Sequence, residues 1–178
     1  MVTLRDRIVL ITGASSGIGS ATARVFALAG AKLILVARRQ DRLEQLVDEL
    51  SLDVETGDSG LQTHLLSLDV RDAIAVESAI SHLPPDWSSI DVLINNAGLS
   101  RGLDKLQEGS IQDWEEMIDT NIKGLLYLTR AIVPGMISRG RGHVLNLGSV
   151  AGHQTYPNGN VYCATKAAVR VISEGLKQ

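Results

Sequence analysis

Arg7 to Gly30 read RIVLIT-GASSGIG-SATARVFALAG, and this stretch decides the fold. Arg7–Thr12 is a short run of mostly β-branched apolar residues, the pattern of a strand. It passes without a linker into Gly13, Ala14, Ser15, Ser16, Gly17, Ile18 and Gly19. Ile18, Ala21, Val25 and Leu28 then recur at helical spacing over Ile18–Ala29. The sequence therefore predicts strand, tight glycine loop, helix. Glycines allow backbone conformations barred to other residues and let a bulky anion approach closely. The helix start adds free N–H groups and the positive end of a dipole. The loop is thus a candidate phosphate cradle, with a plain tight turn as the alternative. Its spacing is Gly-x-x-x-Gly-x-Gly rather than Gly-x-Gly-x-x-Gly.

The same alternation continues along the chain. Further strands are predicted at Lys32–Val36, Leu61–Leu66, Ile90–Ile94 and Gly142–Leu147, most of them continuously apolar. Continuous apolar runs fit strands covered on both faces, as in a parallel sheet. Helical spacing marks Asp41–Leu50, Arg71–Leu83, Ile111–Ser138 and a last helix from about Asn160 to Leu176. Pro134 with Gly135 should end or kink the long one. Glu55–Gly60 and Pro84–Ser89 read as turns or surface loops. Right-handed strand–helix–strand units then give a doubly wound α/β sheet; one common sheet of this kind orders six strands 3-2-1-4-5-6, so the five strands here are expected in the order 3-2-1-4-5.

Composition narrows the function classes. At 178 residues the chain suits one domain, 1–178. Hydrophobic residues are 44% and charged residues 21%, a globular balance rather than a disordered one. The net charge is −3 and the densest basic cluster is Arg38-Arg39 with Arg42, so no nucleic-acid-binding stripe is present. Aromatics are 3%, too few for a base-stacking platform. The single cysteine, Cys163, forbids an internal disulfide, and the four histidines lack ligand spacing, so no metal is expected. Apolar runs are strand-sized, so no membrane span is expected. The first strand begins at Arg7, which leaves no room for a signal peptide and points to the cytoplasm.

Four sites carry chemistry. At the end of strand 2, where NAD-binding folds tend to place an acid, stand Arg38 and Arg39. A guanidinium can grip a ribose 2′-phosphate with two hydrogen bonds, which favours NADP(H) over NAD(H), Arg38 being the better placed. The alternative is that both arginines simply face water. Asn95-Asn96-Ala97-Gly98 follow strand 4, either as a close backbone approach to a cofactor or as a polar turn. Tyr162 and Lys166, at i and i+4, share one helix face. An ammonium beside a phenol favours the phenolate, so Tyr162 can serve as acid or base. Ser149 lies at the end of strand 5, where ligands gather in such sheets, and could hold a substrate carbonyl. His153 and Tyr156 are candidates for the substrate pocket or for loop packing. Arg101 could bind a carboxylate or sit on the surface. Cys163, Trp87 and Trp114 read as packing groups.

This set resembles the short-chain dehydrogenase/reductase family. The resemblance rests on Thr12–Gly19, Asp69-Val70, Asn95–Gly98, Asn121 in Asp119-Thr120-Asn121, Gly148-Ser149 and Tyr162…Lys166, in order along nearly the whole chain. Met117–Gly124, Gly142–Gly152 and Tyr156–Ala168 look like the NADP-dependent 3-hydroxy acid (serine 3-) dehydrogenase branch. The resemblance implies a Rossmann domain performing reversible hydride transfer between NADP(H) and a small alcohol or ketone, without metal. It implies Tyr162 as proton donor or acceptor. Lys166 would lower its pKa and bond the nicotinamide ribose. Ser149 would orient the substrate oxygen, and Asn121 would hold a water leading toward Lys166. Asp69 would meet the adenine amino group beside Val70, while Asn95 and Ala97 would line the adenosine ribose. Gly13, Ser15, Ser16, Gly17, Ile18, Gly19 and Gly98 complete the expected cofactor set.

The resemblance also implies strands and a substrate-covering loop after Gln178. The chain is therefore expected to be a truncated reductase with strand 5 as an open edge. The alternative is a weak or inactive NADP(H)-binding and dimerisation module. A homo-oligomer is expected through helix 111–138 and the last helix, whose Val161, Ala164, Ala168, Val171 and Ile172 are to be buried across a subunit interface or left as an exposed patch.

Overall fold

The computed structural model describes residues 4–54 and 60–177. Five parallel strands form one sheet in the order β3-β2-β1-β4-β5: β1 Ile8–Thr12, β2 Lys32–Ala37, β3 Thr63–Ser67, β4 Val92–Asn95 and β5 His143–Asn146. This is the expected doubly wound order. The central strands β1, β2 and β4 are almost wholly apolar because both their faces are covered, whereas the edge strands β3 and β5 carry polar residues and are only partly buried. Leu10, Ile34, Val36 and Leu93 face one core, closed by Val76 of α3 (Ala73–Ser81) and Leu128, Ile132 and Met136 of α6 (Leu125–Ser138). Val9, Ile11, Leu33, Leu35 and Ile94 face the other. There they meet Ala23 and Ala27 of α1 (Gly17–Leu28) and Leu43, Leu46 and Leu50 of α2 (Gln40–Asp53). Side-chain alternation along each strand feeds the two cores.

Several boundaries differ from the sequence expectation, each for a visible reason. β4 begins two residues late, because the Asp91 carboxylate takes a ladder donor: its Oδ2 accepts the Ile8 N–H at 3.1 Å. Pro84–Ser89 is not all loop; Pro85–Ser88 makes one helical turn, α4, with proline at a start position where no N–H is needed. That turn brings the Trp87 ring under the Lys32 ammonium, 4.6 Å from the ring centroid. Of Glu55–Gly60, residues 55–59 lie outside the described residues.

The long helix breaks where no proline stands. Ile111–Ile118 is α5, Asp119–Gly124 widens into a π turn, and α6 follows. Pro134 sits inside α6, which runs on to Ser138. Buried Leu128, Thr129 and Ile132 before it and Met136 after it pack the helix on both sides, outweighing one lost backbone bond.

The last helix, α7 (Asn160–Gly175), packs on the chain through one face and leaves part of its apolar set, Ala164 and Val171, as an exposed patch, one of the two outcomes expected. Its buried residues are Cys163, Thr165, Lys166 and Val169, while Ala164 is exposed and Val171 is 57% exposed. Polar contacts set this phase. Lys166 Nζ donates to the Leu147 carbonyl at 2.8 Å and Thr165 Oγ1 accepts from Asn121 at 3.1 Å. Both residues must therefore point inward.

Candidate active site

A cleft of about 610 Å³ opens across the carboxyl ends of the strands. Its floor is tied together by β1 and β4. Thr12 Oγ1 accepts the Asn96 and Ala97 N–H groups, each at 3.0 Å. Asn96 Nδ2 donates back to the Thr12 and Gly13 carbonyls at 2.9 and 3.1 Å. Gly13, with φ +64°, adopts the left-handed conformation that glycine tolerates, and its place for a Cβ lies 3.0 Å from Ala97 Cα. Gly19 is buried against the Gly13 carbonyl, where a Cβ would clash with backbone. Gly13, Ser15, Ser16 and Ile18 line the cleft, whereas exposed Gly17, with φ +57°, and buried Gly19 do not border it. The start of α1 carries no side-chain cap at Ser16, so no side chain competes for its first-turn N–H groups.

Arg38 and Arg39 stand exposed in the cleft wall at the end of β2. Asp69 and Val70 form the next stretch after β3. The Asp69 carboxylate is clamped by Arg71, whose Nη2 lies 2.6 Å from Oδ2 and whose Nε reaches both oxygens at 3.0 Å. These bonds hold the Asp69 carboxyl below its ordinary range. Val70 is buried against Gly124 of the π turn.

Ala97 and Gly98 line the cleft, but Asn95 does not. Asn95 is 5% exposed and points beneath the sheet ends, donating to Thr129 Oγ1 at 3.1 Å and Asn146 Oδ1 at 2.9 Å. Strand alternation explains the exchange: the side chain of the last strand residue turns into the core, and the next residue, Asn96, meets the cleft. Within the Asn95–Gly98 motif it is thus Asn96, to which the sequence assigned no role of its own, that borders the cleft. Its signal was its place as the first residue after the strand.

Tyr162 and Lys166 line the other end of the cleft. The Lys166 ammonium lies 6.0 Å from the centre of the Tyr162 ring. It is mostly buried, and that desolvation pushes its pKa below the usual 10.5. Asn121, 2% exposed, frames the floor nearby. Its Oδ1 accepts the Leu99 N–H at 2.8 Å, and its Nδ2 donates to the Leu99 carbonyl at 2.8 Å and to Thr165 Oγ1. Thr165 Oγ1 in turn donates to the Tyr162 carbonyl at 2.7 Å. Ser149 lines an adjoining cavity of about 230 Å³ that shares Gly148 and Lys166 with the main cleft. Its Oγ accepts the Ala151 N–H at 3.1 Å. His153 borders that same cavity. Tyr156 borders neither space and lays its ring on Gly159.

Among the described residues, no three His, Cys, Asp or Glu side chains gather to hold a metal, and no helix is long and apolar enough to cross a membrane. Residues 7–178 match the family model of the short chain dehydrogenases. The chain belongs to the short-chain dehydrogenase family. It is 49% identical over 170 residues to the NADP-dependent 3-hydroxy acid dehydrogenase YdfG of Shigella flexneri, covering 96% of this chain and 65% of that protein. It is 47% identical to sulfoacetaldehyde reductase 2 of Chromohalobacter salexigens, again covering 96% of this chain and 65% of that protein. The solved closed form of serine dehydrogenase complexed with NADP+ superposes with a TM-score of 0.86 at 49% identity, covering 96% and 65% of the two chains. The chain thus spans 65% of the length of these curated relatives.

Proposed function

We propose that residues 1–178 act as one dinucleotide-binding unit that uses NADP(H) to interconvert a short hydroxy acid and its oxo form. The observation that carries this reading is one continuous cleft with a glycine loop and two arginines at one end and Tyr162 and Lys166 at the other.

The residues fit the cofactor. An uncapped helix start suits a pyrophosphate, and Gly13 lets backbone replace side chain there. Arg38 supplies the fork for a 2′-phosphate, with Arg39 beside it. Asp69 and Val70 border the adenine position, Ala97 and Gly98 the sugar that follows, and Lys166 the second ribose. When bound, the nicotinamide supplies two-electron hydride chemistry at its C4. The protein's part is orientation and proton handling. Tyr162 passes a proton to or from the substrate oxygen, and Ser149 donates a hydrogen bond to that oxygen. Lys166, fixed by Leu147, keeps a positive charge beside the phenol. Asn121 holds the floor from which water carries protons toward Lys166.

Two relatives support this choice of substrate class. A 3-hydroxy acid and sulfoacetaldehyde both carry an anion one carbon away from the reacting carbon. A short β-oxo acid satisfies the same description.

The test is NADPH loss with acetoacetate, with NADH in parallel, in wild type and Arg38→Asp. The expected result is oxidation of NADPH by the wild type and a preference for NADPH over NADH that falls at least about tenfold in the variant. An unchanged preference contradicts the role of Arg38, and no acetoacetate-dependent NADPH oxidation contradicts the activity.

A further inference from the structure

The segment after the Asn-Asn-Ala-Gly turn is held rigidly against α7. Both backbone groups of Leu99 are bonded by Asn121, which is bonded through Thr165 to the carbonyl of Tyr162. Two residues on, the Arg101 N–H meets Met117 Sδ at 3.4 Å. Arg101 is thereby placed relative to Tyr162 by short contacts rather than by a free loop. The two residues wall the main cleft together, and they also share the wall of a constriction of only about 20 Å³ behind it.

The Arg101 guanidinium is anchored on one side only. Its Nε donates to Glu116 Oε2 at 3.0 Å. Neither Nη makes a hydrogen bond among the described residues, and the side chain is 51% exposed. Glu116 is shared with Arg71, 3.8 Å away, so one carboxylate steadies two guanidiniums. The surrounding charges are unequal on the two sides. Asp104 and Asp113 border the constriction but not the main cleft. The cleft side carries the Lys166 ammonium, and the acid there, Asp69, is already clamped by Arg71. An anion is therefore repelled from the constriction and accepted in the cleft.

We propose that Arg101 selects acidic substrates, its open Nη1/Nη2 edge receiving the carboxylate or sulfonate of a short oxo acid whose carbonyl lies at Tyr162. The planar fork matches the two oxygens of such a group. The proposal rests on the reading of Tyr162 given above, and names the group that confers its substrate preference.

The test compares acetoacetate with methyl acetoacetate, the same ketone without the charge, in wild type, Arg101→Gln and Arg101→Lys. In Arg101→Gln the ratio of acid to ester kcat/KM should fall about tenfold to a hundredfold, mainly through KM. Arg101→Lys should recover part of it, because it restores charge without the fork. Equal losses for acid and ester, or no change in the ratio, overturn the proposal. A second arm needs no turnover: calorimetric binding of 3-hydroxybutyrate to the full chain loaded with NADPH. Weakening of that binding in Arg101→Gln supports the anion site even where acetoacetate is not reduced, and in that case it is the Tyr162 reading that fails. Absence of acid binding by the wild type, or equal binding by both proteins, overturns the anion site itself.

Discussion

Lys166 shows what one residue carries in this site. Its ammonium is drawn into the protein by a single carbonyl, that of Leu147, and burial lowers its pKa from the usual 10.5. The unfolded chain therefore holds the proton over a pH window, ending near 10.5, in which the folded chain releases it. Stability contributed by this group must rise with pH through that window. Thermal melts of wild type and Lys166→Met should show the wild type gaining on the variant as pH climbs toward 10.5. A difference that stays flat with pH contradicts the desolvation. Gly19 makes the complementary point about space. Gly19→Ala would press a Cβ onto the Gly13 carbonyl and to within 2.6 Å of Asn96 Nδ2. The loop must move, so NADPH titration should show binding weakened at least about tenfold, with a stability loss of about 1–3 kcal/mol. Normal affinity in that variant would mean that the loop geometry is not needed for the cofactor.

Among the elements, the π turn at Asp119–Gly124 does most to assemble the site. It sets Asn121 between the Leu99 backbone and Thr165 of α7, joining two segments that the sheet alone would leave apart. Asn121→Ala strands the Leu99 N–H and C=O, and a buried unpaired group costs ~1–3 kcal/mol. Urea denaturation should therefore show a loss of about 2 kcal/mol or more, and an unchanged midpoint would refute the link. Such a break is not legible in residue spacing, which runs helically from Ile111 to Ser138 and offers Pro134 as the obvious interruption. Tertiary hydrogen bonds, invisible to periodicity, accompany the widening of the helix at Asn121, while packing on both sides carries it on past Pro134 to Ser138. The phase of α7 was hidden for the same reason. Apolar spacing marked Val171 and Ala164 as a face to be covered by another subunit or left exposed, and both are exposed in the single chain; what spacing did not show is the inward pull on Thr165 and Lys166. By contrast, the glycine loop and the strands were legible because steric and two-sided burial rules act locally.

At the scale of the whole molecule, the two ends of the sheet do different work. Ligand-facing groups gather at the carboxyl ends, while the opposite end is clamped by one carboxylate. Asp91, 8% exposed, accepts from the Ile8 N–H, from Arg7 at 3.4 Å and from Arg141 at 3.1 Å, binding β1, β4 and the entry to β5. Asp91→Ala leaves that donor cluster unpaired and should cost about 3 kcal/mol, lowering Tm by about 6–12 °C. NADPH affinity should survive, because the cleft lies at the far end; a loss of affinity without a loss of Tm would contradict this division. Alternation showed the doubly wound sheet, the usual order of dinucleotide-binding folds supplied the strand order, and the meeting of Tyr162 with Lys166 followed from their spacing. Arg101 could not be assigned from sequence, since its place depends on the three-dimensional anchoring of Leu99. The central claim is that Tyr162 handles the proton in a cleft that holds NADP(H), and the most direct measurement is acetoacetate reduction by wild type and Tyr162→Phe with NADPH binding measured on both. We predict a fall in kcat of at least about a hundredfold with NADPH affinity retained; equal kcat in the two proteins would contradict it.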